Sequence, residues 1–403
     1  MEETEELDLP IGPPEPRPDV RLLRSITPRN ILSFGPKTPT LELRALNVLI
    51  GPNGSGKSNL LTVVDLLKNT ASSLDLGILL GEEVIWKGAE DNPAYVEAIV
   101  HPPFAELVFE HQLWLQPIGP VVFRVAERIM EEQQGEIPPL FDYYDSTKRG
   151  EATIMTNGHR ETISDKRLNR DASILVQYRD PSQNSEITEL AEAYQRIRLF
   201  RDWGFGNFNI PRRPQRTDGR ADFLLADGSN LAMVLSRLRR VPASKKKFLA
   251  ALNELYEGVT DFDVGLEGGY AQAYLHEGEF SIPASRLSDG TLKYIQLLAI
   301  LLHPTPPPLI CLEEPELGLH PDAVLAIGKL IKEASERTQI IVTTHSDILV
   351  DVLGAQPEDI IVCEKHDGTT SMKRLNEPEL RGWLERYSIS ELWTRGHLGG
   401  NRW

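Results

Sequence analysis

The sequence predicts an α/β chain with a parallel core sheet, an antiparallel β subdomain and a helical subdomain. Three observations carry this. An apolar run, Leu46–Ile50, feeds a glycine-rich turn, and Leu60, Val63, Val64 and Leu67 then follow at helical spacing. The last third alternates apolar strands with amphipathic stretches, the pattern of a parallel sheet covered on both faces. Between them lie strand-like runs punctuated by Pro and Gly, as in hairpins, and then a helical stretch.

Taken in order, residues 1–20 are acidic and Pro-rich and predict a disordered tail. Residues 21–403 read as one unit: an N-terminal lobe over 21–180, a helical segment over 181–260 and a final lobe over 261–403. Strands are expected at 26–34 and 41–46, before the glycine turn. After the helix come a loop at 76–82 and strands at 94–100, 105–115 and 121–125, extended by 153–155 and 173–178. Leu190, Ala193, Tyr194, Ile197 and Phe200 fall on one helical face. Helices at 230–240 and 244–255 and short strands at 261–266 and 272–276 follow. Strands at 309–312, 340–343 and 360–363 and an amphipathic helix at 322–337 complete the final lobe.

The formal net charge of −16 excludes indiscriminate adhesion to DNA or anionic lipid over the whole surface, though not a local basic groove. Two cysteines, Cys311 and Cys363, sit in apolar runs and read as buried thiols of a reducing compartment. The acidic start has neither a basic nor an apolar signal region, and no apolar run is long enough to span a bilayer. The expectation is a cytoplasmic protein without membrane association.

Residues 51–58, GPNGSGKS, match G-x-x-x-x-G-K-[ST], the phosphate-binding P-loop. Gly51, Pro52, Asn53, Gly54, Ser55 and Gly56 let the backbone N–H groups turn inward on phosphate oxygens, at the positive end of a helix. Lys57 reaches the β- and γ-phosphates, and the Ser58 hydroxyl is the candidate Mg²⁺ ligand. Asn59 completes the candidate nucleotide-binding set. Downstream, LICLEEPELGLHP ends an apolar strand in two acids, a Walker B arrangement. Glu313 is expected to hold Mg²⁺, directly or through water, and Glu314 to act as general base toward the attacking water. In SRLSDGT, Ser288 is a helix N-cap candidate. In IIVTTHS, a strand leads to His345.

LSDGT resembles the LSGGQ signature of ABC-type ATPases, and all four motifs stand in that family's order. With EEPELGLHP, they resemble the RecF, SMC and OLD grouping of these enzymes, often labelled AAA-family or SMC-like ATPases. The resemblance covers most of residues 21–403. Without sustained heptads between P-loop and signature, it implies a compact P-loop NTPase head of ABC type, lacking long coiled-coil arms. It implies ATP and Mg²⁺ as cofactors, with Lys57, Glu314 and His345, the switch histidine, at the catalytic centre. Ser288 and Gly290 would contact the γ-phosphate held by the opposite subunit of an ATP-dependent homodimer. Arg29 and Asn30, in ITPRNILSF, would lie beside the nucleotide. Gln177 would be the Q-loop metal contact, with Gln183 as its rival. Asp289 departs from the family's Gly and puts a carboxylate near the γ-phosphate, and Thr291 departs from Gln. DGSNL at 227–231 and the tail LWTRGHLGGNRW look like stand-alone ATPases of this kind.

The resemblance further implies a DNA-linked task, repair or defence, beside an effector protein such as a nuclease, since no D-x-D pattern follows His345. Two basic clusters, Arg212, Arg213, Arg216, Arg220 and Arg237, Arg239, Arg240, Lys245, Lys246, Lys247, read either as a DNA groove or as a solvated face paired to acids. Trp383, Trp393 and Trp403 read as pins for the tail or as a partner surface. Alternatives remain from other classes: a non-catalytic nucleotide switch that holds an effector, and a P-loop kinase.

Overall fold

Strand β1 (Leu23–Arg29) pairs antiparallel with β2 (Leu41–Glu42), and β3 (Leu46–Ile50) then runs into the P-loop and its helix, Lys57–Thr70. This computed structural model describes residues 21–76, 84–89, 92–103, 105–119, 123–132, 138–143, 152–164, 167–206 and 208–399. The expected disordered tail at 1–20, most of the loop at 76–82, the start of the strand at 121–125 and Trp403 lie outside them. The strand expected at 26–34 stops at Arg29, because Asn30 and Leu32 take left-handed φ values of 53° and 54°.

The next strands are β4 (Ala94–Val100), β5 (Phe109–Pro117), β6 (Phe123–Glu131), β7 (Phe141–Tyr143), β8 (Ala152–Thr156) and β9 (His159–Ile163). With β1 and β2 they form an eight-stranded antiparallel sheet in the order β2-β1-β4-β5-β6-β7-β8-β9. Along β4 to β6 alternate residues are buried, as expected of a sheet with one face on a core. Within that face His111 is fully buried, its Nε2 2.8 Å from Glu127 Oε1 and its Nδ1 2.9 Å from Tyr194 Oη.

Two expectations fail after β9. Residues 173–178 are not a strand but lead into the short helix Ile174–Gln177. The Ser173 hydroxyl accepts from Leu175 N–H and Glu127 accepts from Ile174 N–H, so the donors a strand would need are taken by caps. The helix Ser185–Gln195 ends before Ile197 and Phe200. Arg198–Phe200 forms β10, in parallel register with Ile310–Leu312. A tertiary partner overrides the local helical spacing.

Short β11 (Gln215–Arg216), the helices Leu231–Arg239 and Pro242–Asn253, and β12 (Val259–Glu267), β13 (Tyr270–Glu277) and β14 (Phe280–Pro283) make a small antiparallel sheet with helices against it. The helix Asp289–Leu301 leads to β15 (Leu309–Glu313). The helix Pro321–Ala334, β16 (Gln339–Thr343), the helix Asp347–Leu353, β17 (Ile360–His366) and β18 (Thr369–Arg374) follow. The core sheet has the order β10-β15-β16-β3-β17-β18, parallel except for its last pair.

Because strand side chains alternate, this sheet feeds two cores. Val48, Ile310, Leu312, Ile340 and Val342 face one core with the helix Asp289–Leu301. Leu49, Cys311, Ile341 and Cys363 face the other, with the P-loop helix and the antiparallel sheet. Both cysteines are free and buried, and burial pushes the Cys363 thiol up to about 12.

The tail closes with the helices Glu377–Leu384 and Ile389–Thr394. Trp393 is 1% exposed within the first core, whereas Trp383 is 45% exposed. Trp393→Ala is therefore expected to lower the unfolding free energy by about 3–5 kcal/mol in urea titrations. Trp383→Ala is expected to cost under about 1 kcal/mol by the same measurement. Equal losses would contradict this assignment of the anchor.

Candidate functional site

The parallel register brings three strand ends together: Glu313 lies opposite Thr343, and Thr343 opposite Leu49, one residue before the end of β3. From β3 the chain turns through Gly51, Gly54 and Gly56, all at positive φ (149°, 76° and 101°). A Cβ at Gly51 would lie 2.2 Å from the carbonyl oxygen of Cys363, and one at Gly56 2.2 Å from Thr370 Oγ1. Only glycine fits either place. Lys57 is 5% exposed and curls back, its Nζ donating to the carbonyls of Gly51 (2.8 Å) and Pro52 (3.0 Å). Burial lowers its pKa from the ordinary lysine value, against the pull of Glu313, Glu314 and Glu316 nearby.

Residues outside the sequence motif buttress this loop. Thr370 Oγ1 on β18 donates to Ser55 O (2.9 Å) and is hydrogen-bonded to the Ser33 hydroxyl (2.7 Å), and the Asn59 amide donates to Ser33 Oγ (2.6 Å). Asn59, expected at the nucleotide, thus braces the loop. The Ser55 hydroxyl is buried and lacks a hydrogen-bond partner among the described residues. A loop of inward-turned backbone with such a hydroxyl, a buried lysine and a helix start fits the phosphates of a nucleotide.

Arg29 ends β1 and Asn30 follows it. The Arg29 guanidinium lies 5.9 Å from the Tyr95 ring centre, and Asn30 Nδ2 donates to Pro93 O while its Oδ1 is buried without a partner among the described residues. Neither side chain is hydrogen-bonded to the P-loop among the described residues.

At the end of β15 the two acids diverge. Glu313 Oε2 accepts from Arg201 Nε at 2.7 Å, and the same guanidinium reaches Thr62 Oγ1 and Ser58 O. Arg201 thereby joins the two residues expected to hold Mg²⁺. One hydroxyl and one carboxylate suit Mg²⁺ held largely by phosphate and water oxygens. Glu314 takes φ 44°, a left-handed conformation that costs a non-glycine residue about 1–3 kcal/mol. Its N–H donates to Thr343 O, and its Oε1 stands 3.6 Å from His345 Nε2. Burial, and Glu316 close by, raise the Glu314 pKa above the ordinary range. Glu316 Oε1 accepts from His345 N–H (2.8 Å) and Thr344 Oγ1 (2.7 Å), so the third acid of EEPE fixes the histidine loop.

Ser288 caps the helix Asp289–Leu301, its hydroxyl accepting from Thr291 N–H at 3.0 Å. Ser288 is exposed, and neither it nor Gly290 is hydrogen-bonded to the P-loop of its own chain among the described residues. The Asp289 carboxylate is not left facing the phosphates. It accepts from the Arg212 guanidinium and from Gly206 N–H, and these hold its pKa below the ordinary aspartate value.

Gln177 does not belong to this site. Its amide accepts from Asn169 N–H and donates to the carbonyls of Asn169, Ala172 and Ser173, a local clamp on the turn before its helix. The residue that follows the strand beside Walker B is Arg201, which sequence reasoning missed by placing Phe200 on a helix. The basic clusters carry ion pairs. Arg216 pairs with Asp218, Arg220 with Asp222, Arg239 with Asp261 and Asp263, Lys245 with Asp261 and Lys247 with Glu333. Arg212 is committed to Asp289 and Arg213 lies over Phe208. Much of these clusters is thus paired to acids, as expected of a solvated face.

With this geometry described, comparison with known proteins places the chain. A family profile described as "AAA domain, putative AbiEii toxin, Type IV TA system" matches residues 46–111 and 121–351. The chain belongs to this family. It is an ABC-type P-loop ATPase by family, which implies ATP binding. No curated protein matches the sequence. Among solved structures, the fold is similar to an Smc head bound to the C-winged helix domain of ScpA, with TM-score 0.57 and 17% identity over 89% of this chain and 99% of that one. It is also similar to the Smc head domain with a coiled coil and joint from Pyrococcus yayanosii, with TM-score 0.54 and 13% identity over 90% and 99%. Among the described residues no helix is long and apolar enough to cross a membrane.

Gly51→Ala is expected to abolish ATP binding in a fluorescent-nucleotide titration, because the Cys363 carbonyl it would strike belongs to a core strand that cannot yield. Wild-type affinity in this variant would contradict the placement of the loop.

Proposed function

We propose that this chain hydrolyses ATP in a site completed by a second copy of itself. The observation that carries this is the division of the machinery. Lys57, Glu313, Glu314 and His345 converge at one end of the parallel sheet, while the exposed Ser288 turn makes no hydrogen bond to that cluster among the described residues. A helix start with free N–H groups is an anion site, and the opposite copy's γ-phosphate is the anion that suits it.

In this reading the P-loop amides and Lys57 hold the phosphates and offset the charge that develops on the leaving oxygen. Ser58 and Glu313 hold Mg²⁺, which when bound neutralises phosphate charge. Arg201 must then share Glu313 with the ion. Glu314 takes the proton of the attacking water, and a pKa raised by burial makes its carboxylate a stronger base. His345, oriented by Glu316 through its backbone, contacts the γ-phosphate. ATP favours the closed dimer because only that state offers both halves of the site.

The biological task we propose is defence or another DNA-linked process, carried out with an effector protein such as a nuclease. The family's toxin–antitoxin description supports the defence side. An Smc head of similar fold holding a winged-helix domain supports the use of a head as a platform for a partner.

The expected outcome for Glu314→Gln is retained ATP binding, turnover reduced by about 100-fold or more, and a dimer in ATP and Mg²⁺ that persists on mass measurement. Equal and negligible turnover by wild type and variant would favour the non-catalytic switch.

A further inference from the structure

Lys293 stands in the second turn of the signature helix Asp289–Leu301 and is 2% exposed. Among the described residues its ammonium has no carboxylate within hydrogen-bonding distance. It donates instead to the carbonyl oxygen of Leu317 at 2.7 Å and to that of Glu314 at 3.4 Å. Aromatic faces complete its seat: the Trp203 ring centre lies 4.5 Å away and that of Phe205 5.7 Å away. Trp203 in turn donates its indole N–H to Glu313 O at 2.7 Å, and Phe205 covers Gly318.

A buried amine paired only with carbonyls and rings is an expensive choice, since an apolar side chain of the same volume fills such a space at lower cost. Burial lowers the Lys293 pKa to about 7, against the opposing pull of Glu316 and Glu314. The amine's contacts show where that cost is spent. Glu314 sits in a strained left-handed conformation, and its backbone is held by Thr343 on its N–H and, on its carbonyl, by the Leu317 N–H at 3.2 Å and by Lys293. Thr343 belongs to the core sheet. Lys293 belongs to the helix whose first turn carries Ser288 and Gly290. That turn is itself in close contact with the loop, as a Cβ on Gly290 would lie 3.1 Å from Gly318 O.

We infer that Lys293 is a positioning residue that ties the signature helix to the general-base loop, so that engagement of Ser288 by the opposite copy's nucleotide sets the aim of Glu314. This rests on the proposed hydrolysis and composite site, and it adds the link between them. Without the ammonium, Glu314 keeps its chemistry and its bonds to Thr343 and Leu317, but the turn from Glu314 to Leu317 loses the side chain that ties its two carbonyls to the signature helix.

The test is Lys293→Met, which keeps the apolar stem and volume, and Lys293→Gln, which keeps one donor for Leu317. The Met variant is expected to melt at or above the wild-type temperature and to keep KM for ATP within about twofold while kcat falls about 10- to 100-fold. The Gln variant is expected to recover part of that rate. On a Glu314→Gln background, Lys293→Met is expected to change the residual turnover by less than about twofold, because its effect runs through that side chain. Unchanged kcat in both single variants would overturn the inference, and so would an equal further fall on the Glu314→Gln background. Absence of turnover in the wild type would overturn the proposed hydrolysis instead.

Discussion

Everything at the candidate site depends on the parallel hydrogen-bonded register of β10, β15, β16 and β3. Parallel strands end on the same side of a sheet, so their carboxyl-end loops meet there. Phe200 beside Leu312, Glu313 beside Thr343 and Thr343 beside Leu49 are one continuous registration. It brings Arg201, Glu313, Glu314, His345 and the P-loop together from sequence positions far apart. A slip of one residue in β15 would turn Ile310 and Leu312 to the opposite core and move both acids off the cluster.

On that frame the loops are held by side chains that themselves do no chemistry. Thr370 and Ser33 hold the P-loop, Glu316 holds the His345 backbone, and Thr343 and Lys293 hold Glu314. The strand end at Arg201 opens a segment that touches each part in turn. Arg201 meets Glu313 and Ser58, Trp203 meets Glu313 and Lys293, and Gly206 and Arg212 meet Asp289. The carboxylate that replaces a signature glycine is thereby neutralised by a partner within its own chain. That arrangement answers the departure from the family pattern: Asp289 locks the signature turn instead of repelling phosphate.

The P-loop, the acidic pair, the signature turn and His345 were legible in the sequence because each is a short local pattern whose chemistry requires those residue types in that order. The parallel strands at Leu46, Leu309 and Ile340 were legible because burial on both faces makes them continuously apolar. What could not be read were features set by tertiary partners. β10 is only three residues long and carries helical spacing, so its pairing with β15 left no local trace. That hid Arg201, while the strand-like run 173–178, a short helix in the structure, pointed to Gln177. The basic clusters were open to two readings in part for the same reason, since some of their acidic partners, such as Glu333 for Lys247, are distant in sequence.

The central claim is that half of each site comes from a second copy, and mixing two inactive variants tests it most directly. Lys57→Ala removes the P-loop half and leaves Ser288 intact, while Ser288→Arg does the reverse. A mixed dimer then contains one site with both halves intact. Equimolar mixing of the two purified variants, each without turnover alone, is predicted to restore ATP hydrolysis to about one quarter of the wild-type rate. A mixture that stays at the level of the separate variants would contradict the account.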